Sequence, residues 1–254
     1  GRNRELVRVN DDRDRFLSTV THELKTPLTS LLAFADVLSK NRSETLSPRD
    51  IQHLHAIQRD GRRLEMLIGD LIDVSNARSG TFKLFHSRFD ARAMLDEFRQ
   101  GFTPVLAGKQ QWIELSCEGG HMAVVADRDR LIQVMSNLVG NASKFSPSGT
   151  RVRVSASLFN GKLSVSVSDQ GPGILQGEAQ QLFQPFHRVD NELGRKVPGT
   201  GLGLYVCRII IGLHGGTIGL KSAPGGGTEV AWWIPDAPAQ PLEDVAGLAP
   251  SAVG

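Results

Sequence analysis

RVRVSASLFNGKLSVSVS, residues 151–168, alternates apolar and polar side chains on both sides of Asn160-Gly161. Val152, Val154, Ala156 and Leu158 share one face of an extended strand, and Leu163, Val165 and Val167 repeat the pattern in the next. Asn-Gly between them supplies the left-handed backbone that a two-residue hairpin turn requires. Outward from this hairpin, helical periodicity marks residues 90–107 and 129–143 upstream and 201–214 downstream. A second hairpin runs over 217–234 and turns at Pro224-Gly225-Gly226-Gly227. Helices mixed with antiparallel strands predict an α+β two-layer sandwich, one sheet under a helical layer.

Toward the N-terminus the pattern becomes purely helical. From about Asp14 to Lys40 the residues Leu17, Val20, Leu24, Leu31, Ala35 and Leu38 form one apolar stripe. Asn41-Arg42-Ser43-Glu44-Thr45 interrupts it. Ser47-Pro48-Arg49-Asp50 then reads as a helix start, with Ser47 as cap, Pro48 at the first helical position and Asp50 at the positive helix end. Ile51, Leu54, Ile57, Leu64, Leu67, Ile68, Leu71 and Ile72 continue that helix to about Ser79-Gly80. Two such helices make an all-α antiparallel hairpin whose stripe a second copy would cover, so a homodimer with a four-helix bundle is expected.

The chain of 254 residues is 40% hydrophobic and 22% charged with a net charge of +2, enough for one large or two small domains with real cores. Acidic and basic residues are interspersed, which argues against nucleic-acid binding as the main activity. Cys117 and Cys207 have no CxxC partner, so neither a disulfide framework nor a zinc site is expected. The apolar run Ile209–Leu213 is too short to cross a bilayer, and no signal peptide is visible. The start at Arg2-Asn3-Arg4-Glu5 reads as a fragment of a longer protein. The expected division is an upstream linker over 1–14, a helical domain over 15–80, the α+β domain over 81–236 and a Pro- and Ala-rich disordered tail over 237–254.

His22 lies two residues from both Val20 and Leu24, about 200° around the helix from the buried stripe, and is expected to face solvent. Glu23 is its neighbour and Thr26 lies one turn on. Pro27 has no N–H and crowds the Glu23 carbonyl, which predicts a local bend. An exposed imidazole beside a carboxylate is a workable nucleophile and base. An ordinary exposed helix histidine has the same surroundings.

Familiar nucleotide motifs are absent. There is no GxxxxGK[ST], and neither Gly199-Thr200-Gly201-Leu202-Gly203 nor Gly171-Pro172-Gly173 completes a dinucleotide fingerprint. Three clusters offer another route. Asn137 and Asn141 lie four apart on one helix face with Lys144 a turn later; amide oxygens suit Mg²⁺ and a lysine suits phosphate. Asp169-Gln170-Gly171-Pro172-Gly173 ends an alternating strand, where a carboxylate can accept from the adenine amino group and glycines leave room for the ring. Pro198–Leu204 opens a helix whose N-terminal end favours anions. A polar helix face, a tight turn and a flexible hinge are the competing explanations of the three.

Order and spacing add a resemblance. Phe16-Leu17-Ser18-Thr19-Val20-Thr21-His22-Glu23-Leu24-Lys25-Thr26-Pro27 resembles the phosphoacceptor box of sensor histidine kinases of two-component systems. The three clusters are similar, in order, to the asparagine box and the two glycine boxes of that family's Bergerat-type ATP-binding domain. Leu182–Val189 is similar to its phenylalanine box, and His214-Gly215-Gly216-Thr217 and Gly225-Gly226-Gly227-Thr228 to its closing helix and hairpin.

The resemblance implies an ATP-dependent protein histidine kinase, cytoplasmic and without membrane contact in this fragment. It implies that His22 accepts the γ-phosphoryl group, that Glu23 is general base, and that Thr26 positions water for dephosphorylating a response regulator. Asn141 is implied as Mg²⁺ ligand, with Asn137, Lys144 and Arg188 serving phosphates. Asp169 is implied to bind adenine, with Phe145 stacked near it and Gly171 and Gly173 beside it. Gly199, Gly201 and Gly203 are implied around the phosphates, residues 187–198 as a mobile lid, and residues 76–80 as a hinge. Related ATPases carry a glutamate four residues before the metal asparagine; Asn137 stands there, which favours transfer to histidine over loss to water. Whether one protomer labels its own histidine or its partner's depends on the hairpin loop and stays open.

Overall fold

The computed structural model describes residues 24, 28–38, 46–174, 178–187, 199–223 and 226–237. The chain divides into two compact units, one of residues 1–82 and 184–206, the other of residues 83–183 and 207–254.

In the first unit, helix α1 is described over residues 28–38 and helix α2 runs Pro48–Arg78. The start of α2 follows the sequence closely. Ser47 Oγ accepts from the Asp50 N–H and the Asp50 carboxylate accepts from the Ser47 N–H at 2.9 Å, a reciprocal capping box with Pro48 in the first turn. Ser30 Oγ donates to Asp60 at 2.6 Å, and the Phe34 and His53 rings stack with centroids 5.1 Å apart. Earlier α1 residues thus meet later α2 residues, the expected antiparallel hairpin. Leu28, Leu32, Ile51, Met66, Ile68 and Ile72 remain exposed on the chain by itself. Helix α2 ends within the predicted hinge, and Gly80 adopts a φ of 70°.

The second unit is built on a five-stranded sheet with β1 and β3 as a separate pair. The strands are β1 (Ser87–Asp90), β2 (Trp112–Glu118), β3 (Ala123–Ala126), β4 (Arg151–Phe159), β5 (Lys162–Ser168), β6 (Thr217–Ser222) and β7 (Thr228–Pro235). The large sheet has the order β2-β4-β5-β7-β6. The predicted hairpin pairs Val154 with Val167 and Leu158 with Leu163, and Asn160 and Gly161 both take positive φ. Three strands went unread in the sequence, and one alters the expected antiparallel sheet: β2 runs parallel to β4, Ile113 opposite Val152.

Helices α3 (Ala91–Ala107), α4 (Arg128–Phe145) and α5 (Gly203–Leu213) follow the predicted segments with ends shifted by one or two residues. Asp90 caps α3 by accepting from the Arg92 N–H at 2.8 Å, and Asp127 caps α4 by accepting from the Arg130 N–H at 3.1 Å. Leu131, Val134, Met135 and Leu138 of α4 are buried with Val152, Val154, Leu163, Val165 and Trp232 of the sheet. That one-sided burial is the two-layer core the alternation called for. The opposite sheet face forms a shallow dish among Ser116, Ser155, Ser157, Ser164, Ser166 and Trp233. Its one charged lining residue, Glu118, has the wrong sign for a triphosphate.

Candidate active site

Asp169 follows directly on β5, and three hydrogen bonds to two neighbours fix it. Its Oδ1 accepts from the Gly171 N–H at 2.8 Å and from the Thr228 N–H at 2.9 Å. Its own N–H donates to the Thr228 carbonyl at 2.9 Å. Oδ2 makes no hydrogen bond among the described residues. Burial raises the carboxyl pKa above its ordinary value, and the Gly171 and Thr228 bonds oppose that rise. The result is a half-buried acceptor with one oxygen engaged and one able to meet an amino group.

The glycines beside it are there for space. A Cβ on Gly171 would stand 3.0 Å from the Phe145 carbonyl oxygen, and one on Gly173, at φ 77°, 3.1 Å from the Gly227 carbonyl oxygen. Asp169, Gly171, Gly173 and the end of α4 at Phe145 are therefore brought together, as are Gly227 and Thr228, which sequence reasoning assigned only to a closing hairpin. The Lys144 ammonium lies 5.3 Å from the centre of the Phe145 ring.

Asn137, Asn141 and Lys144 all lie on α4, half-buried, while Leu138, Val139 and Ala142 turn to the core. The Asn141 carboxamide makes no hydrogen bond among the described residues; Asn137 is engaged. Magnesium keeps water and takes phosphate oxygens, so a single unengaged carboxamide is a fitting protein donor. Among the described residues no group of three His, Cys, Asp or Glu could hold a metal by itself.

Gly199, Gly201 and Gly203 belong to the first unit. Gly201 has φ 69°, and a Cβ there would stand 2.7 Å from the Phe186 carbonyl carbon. The Phe186 N–H donates to the Gly201 carbonyl at 3.0 Å, and the Leu202 N–H to Thr200 Oγ1 at 3.0 Å. Gly203 opens α5, where the sequence placed a helix start. His22, Glu23, Thr26, Arg188 and most of the lid lie outside the described residues.

The family model for "Histidine kinase-, DNA gyrase B-, and HSP90-like ATPase" matches residues 126–238, and that for "His Kinase A (phospho-acceptor) domain" matches residues 12–80. The chain belongs to the histidine kinase family. This kinase is 33% identical to sensor protein GacS of Pseudomonas syringae pv. syringae over 236 residues, 91% of the chain and 26% of GacS. The chain therefore spans well under half the length of that relative. Among solved structures it is similar to ShkA in complex with AMPPNP, at 25% identity and a TM-score of 0.66 over 89% of this chain and 46% of that one. It also shares the fold of histidine kinase ThkA in complex with response regulator TrrA, at 23% identity and a TM-score of 0.65 over 92% of this chain and 64% of that one. No helix among the described residues is long and apolar enough to cross a membrane.

Proposed function

We propose that this kinase is the core of a two-component sensor that binds Mg·ATP, phosphorylates its own His22 and passes the group to an aspartate of a response regulator. One observation carries the reading: the chain joins a phospho-acceptor domain to an ATPase domain whose Asp169 is held with one carboxylate oxygen unengaged among the described residues. An adenine amino group would donate to that oxygen while Phe145 covers the ring edge. Asn137, Lys144 and Arg188 would hold phosphates along with the backbone at Gly199, Gly201 and Gly203. The AMPPNP complex of ShkA supports the nucleotide assignment.

Asn141 would hold Mg²⁺, which when bound neutralises charge on the phosphate chain. A ring nitrogen of His22 attacks the γ-phosphorus, the bond to the bridging oxygen breaks, and ADP leaves with the electron pair. Glu23 takes or orients the proton on the other ring nitrogen. Catalysis of this kind is mainly positioning and charge stabilisation. Thr26 would position water for dephosphorylating the regulator, and the ThkA complex supports a receiver domain as partner.

We read residues 1–14 as linker, 15–80 as the dimerisation and phosphotransfer domain, 81–236 as the catalytic domain and 237–254 as tail. Exposed Leu28, Leu32, Met66 and Ile72 support a homodimer through the helical hairpin; a cytoplasmic place of work is part of the same proposal. The test is incubation with radiolabelled Mg·ATP. Acid-labile, base-stable label is expected in the parent and none in His22→Gln; acid-stable label would point to a serine instead and overturn the reading.

A further inference from the structure

We propose that Lys109 and Gln111, from the loop between α3 and β2, are positioning residues that hold the C-terminal end of α4 in the shape nucleotide binding needs. The inference rests on the nucleotide reading of Asp169, Phe145 and α4.

The last carbonyls of a helix have no partner within it. At α4 those carbonyls receive donors from far along the chain. Lys109 Nζ donates to the Ser143 carbonyl at 2.9 Å, to that of Lys144 at 3.2 Å and to that of Ser146 at 3.5 Å. Gln111, only 4% exposed, donates through Nε2 to the carbonyls of Pro147 at 2.8 Å and Ser143 at 3.2 Å. Its Oε1 accepts from Ser143 Oγ at 2.6 Å. The Gly149 N–H closes the loop onto the Lys109 carbonyl at 3.0 Å. An ammonium at the negative end of a helix is also favoured by the helix dipole.

The clamp grips the residues that reach the candidate site. Ser143, Lys144 and Ser146 bracket Phe145, whose carbonyl abuts Gly171. Ser146 Oγ accepts from the Gln170 N–H at 3.3 Å, and Gln170 lies between Asp169 and Gly171. Gln170 Oε1 in turn accepts from the Arg151 N–H at 3.1 Å. Without Lys109 the Lys144 carbonyl loses its outside donor and the Ser143 carbonyl keeps only Gln111, so Phe145, Lys144 and the Gln170 loop lose the charged half of their common anchor. Neither Lys109 nor Gln111 is among the proposed nucleotide contacts. Their effect is on binding, since Glu23 and His22 lie elsewhere in the chain.

The test uses the full chain with Mg²⁺ and AMPPNP by calorimetry, together with autophosphorylation kinetics. Lys109→Met is expected to weaken AMPPNP binding and raise the KM for ATP about tenfold, the scale of one or two lost charge-assisted hydrogen bonds. The kcat is expected within about twofold of the parent, and Lys109→Arg, which keeps the donors, to restore binding. A residue that merely stabilises the fold would lower Tm and leave Kd unmoved, and that result overturns the inference. Ser143→Ala, which removes one bond of the clamp, is expected to weaken binding about threefold; if Lys109→Met does not fold, parent-like binding by Ser143→Ala overturns it instead. A parent that takes up no AMPPNP would overturn the nucleotide reading as well, whereas a parent that binds alongside an equally tight Lys109→Met overturns this inference alone.

Discussion

A β-carbon on Gly227 would stand 2.1 Å from the carbonyl oxygen of Asp169. The two residues are far apart in sequence, yet their backbones nearly touch, because the next residue, Thr228, both donates to Asp169 Oδ1 and accepts from the Asp169 N–H. The closing hairpin therefore sets the position of the carboxylate that ends β5. Gly227 also has φ 90°, a conformation L side chains rarely adopt.

Gly227→Ala is accordingly expected to act on the site and on stability together. Strain at such a backbone position costs about 1 to 3 kcal/mol, before the displacement of Asp169 is counted. Urea denaturation should show a loss of that size, and AMPPNP affinity should fall at least about tenfold. A variant with parent-like affinity would mean that Asp169 does not depend on the hairpin.

Asp169→Asn separates the two roles of this carboxylate. An amide oxygen can still accept from Gly171 and Thr228, but this turns the NH₂ toward the ligand, where an adenine amino group would meet a donor instead of an acceptor. Nucleotide affinity is expected to drop by about tenfold or more. Stability should move the other way. Burial raises the folded-state pKa of Asp169, so its favourable contribution is complete below the unfolded value and is lost as pH rises through the folded one. At pH 7 the neutral amide avoids that loss, and Asp169→Asn is expected to melt above the parent. A lower Tm with unchanged binding would refute both halves.

Much of this was legible because the signals are local. Alternation about Asn160-Gly161 specifies β4 and β5, and Ser47-Pro48-Arg49-Asp50 specifies the start of α2, with no help from distant residues. Strand β2 is different. Ile113, Leu115 and Cys117 alternate, but parallel pairing with β4 needs no turn beside it and leaves no turn signal. Strands β1 and β3 have four residues each, too short for a period to show. The candidate site divides similarly. Asp169, Gly171 and Gly173 form one short cluster, whereas Thr228, Lys109 and Gln111 come from distant parts of the sequence, and their residue types have many ordinary uses.

His214 gives a prediction for pH. It is 7% exposed, and both ring nitrogens are used: Nε2 accepts from the Asp127 N–H at 3.0 Å and Nδ1 donates to the Ile210 carbonyl at 2.8 Å. A protonated ring could not accept from Asp127. Burial lowers the His214 pKa, assisted by His86, while the Ile210 bond and Asp127 act in the opposite direction. The unfolded chain therefore binds the proton more readily than the folded one. Stability from neutral His214 is complete above the unfolded value of about 6.5 and declines as pH falls below it. Thermal midpoints between pH 8 and pH 5 should fall on acidification, and His214→Gln, whose Oε1 can still accept from Asp127, should flatten that slope. An identical slope in the variant would assign the acid sensitivity to another group.

Thr26 and Asn141 divide the proposed chemistry, and paired variants test the division. Autophosphorylation needs the metal held at the nucleotide; dephosphorylation of a regulator needs water placed beside its phosphoaspartate. Asn141 offers a carboxamide on α4 that is unengaged among the described residues, so Asn141→Ala is expected to remove the protein's hold on Mg²⁺ and reduce His22 labelling at least about a hundredfold, the scale of losing a strong electrostatic contact at a reacting phosphate. The same variant, added to a regulator phosphorylated by other means, should retain dephosphorylation. Thr26→Ala should behave inversely: His22 labelling within about twofold of the parent, with dephosphorylation slowed by about ten- to a hundredfold if its hydroxyl orients the water. Each variant is measured in both assays with the same regulator preparation. Equal loss of both activities in Thr26→Ala would mean that the residue supports the helix around His22 and has no separate role in placing water.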